Sequence, residues 1–102
     1  MNSNMLEHLC CLVPYDSQEA ISLKKAAVIA GLSVGTIRNW CEAHGIGRKV
    51  GGQWRVSRVA LAMFLDGDRR ALDMYLDGER TNGIVASYFN RLMPSQKIQT
   101  RQ

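Results

Sequence analysis

Arg38 and Asn39 are neighbours in the segment SVGTIRNWCEAHG, and together they offer recognition chemistry rather than bond-breaking chemistry. A guanidinium can bridge the two acceptors on a guanine edge, and a carboxamide supplies the donor and acceptor that match an adenine edge. Ser33 and Thr36 precede them, where a helix N-terminus leaves free backbone N–H groups that favour phosphate. A second basic cluster follows: Arg48, Lys49, Gln53 and Arg55 flank the dipeptide Gly51-Gly52. Lys24, Lys25 and Arg58 each fall in the first turn of a predicted helix, where a cation opposes the dipole. Contact with a phosphate backbone would offset that local cost; the alternative is ordinary surface charge.

These side chains need elements to hold them. Ser22 predicts a cap for a helix over Leu23–Ala30, with Leu23, Ala26, Ala27 and Ala30 on its apolar face. Gly31 supplies the turn, and Leu32 is expected to tuck inward. Ser33 then caps a second helix running to about Ala43. Its inner side carries Ile37, Trp40 and either Cys41 or His44, and its outer side carries Gly35, Arg38, Asn39 and Glu42. Alanine at 27, glycine at 31 and large residues at 37 and 40 let two helices cross closely, the spacing of a helix-turn-helix. Gly51-Gly52 predicts a tight hairpin. Its register sets Val50 opposite Gln53, Lys49 opposite Trp54 and Arg48 opposite Arg55. Trp54 and Val56 then share a core-facing side, with the Lys49 stem on the indole. Two arginines directly opposed are unfavourable without an anion, so phosphate is expected there. Ser57 caps a third helix, Arg58–Leu65.

The chain has 102 residues, 46% of them apolar, which suits one domain with a modest core. No apolar run approaches the ~20 residues that span a bilayer, and no basic-then-apolar leader is evident, so a cytoplasmic, nucleoid-associated location is expected. The net charge of +4 is unevenly spread. Residues 22–65 carry seven Lys/Arg against Glu42 alone, whereas residues 1–21 carry three acids and no base. Three cysteines, Cys10, Cys11 and Cys41, fit neither a disulfide framework nor, with His8 and His44, any recognised zinc spacing. No cofactor or metal is expected. Nor is an enzyme: no nucleotide-binding glycine loop is present, and Asp66, Asp68, Asp73 and Asp77 fit helix ends better than a nuclease cluster.

The remainder is less specific. A short helix over Met5–Val13 and a turn at Pro14–Ser17 are predicted before the basic segment. After it, ALAMFLDGDRR and ALDMYLDGERT repeat at an offset of eleven residues. Asp66-Gly67 favours a break between helices over one rod. Helices are placed at about Asp68–Leu76 and Ile84–Met93, before a polar tail. Met74, Tyr75, Tyr88 and Phe89 either extend the core or form an oligomer interface. The division expected is a 1–21 extension, a 22–65 DNA-binding head, a 66–94 helical extension and a 95–102 tail.

The phrases SLKKAAVIAGLSVGTIRNW and RKVGGQWRVSRVALAMFL resemble the small winged helix-turn-helix domains of phage-type excisionases and the DNA-binding heads of the mercury-resistance-regulator superfamily. The resemblance implies a mainly α fold with a small β-hairpin, extended here by C-terminal helices. It also implies major-groove roles for Gly35, Arg38 and Asn39, and a wing of Arg48, Gln53 and Arg55, with Lys49 between them. Gly35 replaces a polar or basic residue expected from the pattern. The long heptad-bearing helix of many dimeric relatives is missing, so no small-molecule effector is implied. The function expected is sequence-specific binding of double-stranded DNA by a transcriptional regulator or recombination directionality factor. A packaging or partition adaptor and a non-DNA protein-interaction module are the alternatives. A head this small favours a homodimer or cooperative multimer on DNA, with a recombinase or RNA polymerase as further partners.

Overall fold

The computed structural model describes residues 10–93. Its elements in chain order are β1 (Ala20–Ile21), α1 (Leu23–Ala30), α2 (Val34–His44), β2 (Gly47–Val50), β3 (Gln53–Ser57), α3 (Arg58–Asp66), α4 (Arg69–Leu76) and α5 (Gly83–Leu92). This is a winged helix-turn-helix, mainly α, with a three-stranded antiparallel sheet in the order β1-β3-β2 and helices added after the wing.

Local chemistry sets most boundaries. Ser22, Ser33 and Ser57 accept hydrogen bonds from Lys25 N, Thr36 N and Ala60 N at 3.0, 3.1 and 3.0 Å, capping α1, α2 and α3. Gly31 closes α1 in the left-handed region (φ 73°). Its N–H and that of Leu32 both reach back to the Ala27 carbonyl, and Gly31 also reaches Val28, the pattern that satisfies the last orphan carbonyls. Gly67 repeats this after α3, with Asp68 N bonding Met63 O at 2.9 Å. The eleven-residue echo is therefore split into two helices. In the hairpin, Gly51 and Gly52 have φ of 61° and 85°, the doubly left-handed turn that matches strand twist. Val50 pairs with Gln53, Lys49 with Trp54 and Arg48 with Arg55.

The core joins the head to the added helices. Ile37, Ile46, Val56, Val59, Met63, Leu72, Tyr75 and Val85 are fully buried or nearly so in one cluster. Trp40 and His44 both meet the Phe64 ring, at 4.6 and 4.5 Å between centroids. Gly47 is required where it stands: a Cβ there would run into Cys41 Sγ and lie 2.7 Å from the Arg55 carbonyl oxygen.

Several expectations change. β1 was not predicted, because two residues carry no periodicity; it exists only by pairing with Val56 and Ser57. Leu32 does not tuck inward but is 41% exposed, since its position just past the Gly31 cap turns it away from the α1–α2 contact. The predicted Met5–Val13 helix lies mostly outside the described residues, and Cys11–Pro14 is a series of bends instead. His8 and the 95–102 tail also lie outside them.

Candidate nucleic-acid interface

The back of α2 is fixed by Ile37 and Cys41, both buried, while Val34, Gly35, Arg38, Asn39 and Glu42 are exposed along its front. The sequence places four of these five outward; Val34, 43% exposed, is the residue it missed. The side chains of Arg38 and Asn39 have no hydrogen bond or ion pair with any other described residue. Ser33 and Thr36 are engaged with each other, Oγ to Oγ1 at 2.9 Å, besides the cap. Their fit is thus to hold the first turn, with backbone N–H groups left to face an anion. Lys24 and Lys25 are exposed in the first turn of α1, and none of the five helices has an acid in its first turn.

Around the wing the arginines diverge. Arg55 Nη2 donates to Gln53 Oε1 at 2.9 Å near the exposed tip, and Lys49 Nζ lies 5.8 Å from the Trp54 ring centroid. Arg48 turns the other way. Its Nε donates to the Cys11 carbonyl at 3.0 Å and its Nη2 to the Leu12 carbonyl at 2.7 Å. The expectation of phosphate between Arg48 and Arg55 is corrected accordingly: backbone carbonyls from a distant segment receive the Arg48 guanidinium. Arg58, at the start of α3, is half-buried with its Nε enclosed and without a partner among the described residues.

Behind the sheet lies a buried polar network. Glu19 Oε2 accepts from Ser57 Oγ at 2.5 Å and from the Tyr75 hydroxyl. The same hydroxyl accepts from Leu12 N at 2.8 Å. Arg80 stacks 4.0 Å above the Tyr75 ring and donates to the Tyr75 and Val13 carbonyls, both at 2.7 Å. Burial, then the charge of Glu19, pushes the Tyr75 phenol well above its ordinary value.

Two residues of the expected oligomer set are enclosed within the chain, and the other two, Met74 and Phe89, are half-buried. Tyr75 is 0% exposed and Tyr88 is buried, its hydroxyl reaching Asp66 and Asp68 at 2.9 and 3.1 Å. Met74 and Phe89 pack against the core. These side chains help to close α4 and α5 over the head. Among the aspartates, Asp68 caps α4 through Ala71 N, while exposed Asp73 pairs with Arg69 at 3.4 Å and exposed Asp66 with Arg91 at 3.6 Å. Among the described residues, no three His, Cys, Asp or Glu side chains gather to hold a metal ion. Cys11 and Cys41 are buried thiols, pushed up to about 12 and about 11 chiefly by burial. No helix among the described residues is long and apolar enough to cross a membrane.

No curated protein and no solved structure matches the chain. Residues 21–69 match a family model described as a helix-turn-helix domain. That span runs from β1 through both crossing helices and the wing to the start of α4, and it supports DNA binding by a small helix-turn-helix protein. Over these residues, somewhat under half of its length, the chain is similar to that helix-turn-helix family.

Proposed function

We propose that this protein binds double-stranded DNA at chosen sequences, with α2 in the major groove and the β2–β3 wing on the adjacent minor groove or backbone. It acts as a small transcriptional regulator or as a directionality factor for site-specific recombination. The observation that carries this reading is the front of α2: Arg38 and Asn39 stand exposed and unengaged on a helix whose back is locked into the core. Lys24 and Lys25 with the first turns of α1 and α2 supply backbone contacts, and Arg55 with Gln53 supplies the wing contact. Arg48 supports the wing from behind. The protein contributes position and charge, with no chemical step.

Selection of duplexes from a random pool tests this directly. A discrete motif is expected, bound with an affinity that falls as salt rises, log K dropping by about 0.9 per phosphate contact for each decade of salt. Failure to enrich any motif, with binding indifferent to salt, would remove the reading. Mapping bound sites in cells separates the two roles, by whether they lie beside promoters or beside recombination sites.

A further inference from the structure

The first turn of α2 combines two features that the fold does not explain. Gly35 has ordinary helical backbone, and an added Cβ would meet nothing closer than Ser33 Oγ at 3.9 Å. Among the described residues nothing therefore requires glycine, although it weakens a helix relative to alanine. Beside it, Val34 exposes an apolar, β-branched side chain in the first helical position. A single exposed valine is unremarkable on its own. Here it stands one turn ahead of Arg38 on the same side of the helix, and the polar neighbours Ser33 and Thr36 are tied up in the cap. The leading edge of this face is thus a bare backbone patch and two methyl groups.

We propose that this edge reads thymine: the Val34 methyls pack on the C5-methyl group of a thymine in the major groove, and Gly35 removes the side chain that would hold the helix off that base pair. The inference rests on α2 being the helix that enters the groove. A thymine methyl is the apolar group that the major groove presents, and aliphatic side chains read it by contact. One helical turn advances about 5.4 Å and one base-pair step about 3.4 Å. The thymine should therefore lie within about two steps of the base contacted by Arg38. Val34 is then a specificity-determining residue, and Gly35 a positioning residue that sets the depth of insertion.

The test replaces each thymine of the selected duplex, one at a time, with deoxyuridine, which deletes only the methyl group. With the wild-type protein, uracil at one or two positions should weaken binding about fourfold, the worth of one buried methyl-sized group. Val34→Ser should bind the thymine and uracil duplexes alike, with thermal unfolding unchanged because the site is exposed. Gly35→Ala should fold at least as stably as wild type yet bind severalfold more weakly. If no uracil substitution weakens wild-type binding, or if the loss persists in Val34→Ser, the thymine assignment is wrong while DNA binding stands. If Gly35→Ala binds as well as wild type, close approach is wrong. If selection enriches no motif at all, the functional reading falls and this inference falls with it.

Discussion

Arg48 on the wing and Arg38 on α2 are both cations of the basic head, yet the regions around them differ in kind. Behind Arg48, the carbonyls of Cys11 and Leu12, the hydroxyl of Tyr75 and the carboxylate of Glu19 form a closed polar layer that ties the wing to α4. The front of α2 is the reverse, with Arg38 and Asn39 exposed and unengaged. Counting cations treats these regions as equivalent. What distinguishes them is whether the chain itself already supplies the partner. A charge engaged internally stabilises the fold, while one left without a partner is available to an outside anion.

If that contrast is right, damage behind the sheet should appear as lost stability and damage at the front as lost binding. The largest effect is expected at Tyr75. Tyr75→Ala deletes a fully buried aromatic and should cost about 3–5 kcal/mol. Tyr75→Phe removes only the hydroxyl and should cost about 1–3 kcal/mol, because Leu12 N and Glu19 lose a buried partner. Urea unfolding measures both, and a neutral Tyr75→Phe would show that the network adds nothing.

The paired arginines give the most direct contrast. Arg48→Ala should lower stability by about 1.5–3 kcal/mol, the range for hydrogen bonds made by a charged group, and leave the salt dependence of DNA binding intact while the protein is folded. Arg55→Ala should leave urea unfolding unchanged and reduce the salt slope by about 1. The opposite pattern would invert the assignment of the two arginines.

On the reading face, Arg38→Ala should cost about 1–3 kcal/mol of discrimination at one base position with no change in stability. An unaltered selected motif would mean that another element reads the bases. The smallest effect at neutral pH concerns the buried acids. The folded chain holds the Cys11, Cys41 and Tyr88 protons up to about 12, 11 and 12, against ordinary values of 9.0 for the thiols and 10.0 for the phenol. The unfolded chain releases them at lower pH, so these three groups leave stability unaffected between neutral pH and about pH 9 and lower it between about pH 9 and 12. Urea midpoints at about pH 8 and about pH 10.5 check the sign.

The head was legible because its signals are local. Serine caps act within three residues, Gly31 and Gly67 end helices in place, and Gly51-Gly52 fixes the hairpin register between strands four residues or fewer from the turn. The outward set Gly35, Arg38, Asn39 and Glu42 follows from helical periodicity once the Ile37 and Cys41 side is known to face inward. A valine reads as core by type, yet Val34 is 43% exposed beside the buried Ile37 and Cys41, which only the folded packing decides.

What the sequence determined by itself was the order of helices and hairpin from Leu23 onward, the wing register and the face of α2 that carries Arg38 and Asn39. The tertiary structure alone decided that β1 exists, that Arg48 is engaged from behind, and that Tyr75 and Tyr88 are core rather than interface. The physical reason is separation along the chain. The hydrogen bond from Leu12 N to Tyr75 spans 63 residues and that from Arg48 to Cys11 spans 37. Neither residue type nor spacing encodes a partner that distant; only the folded packing brings the two together.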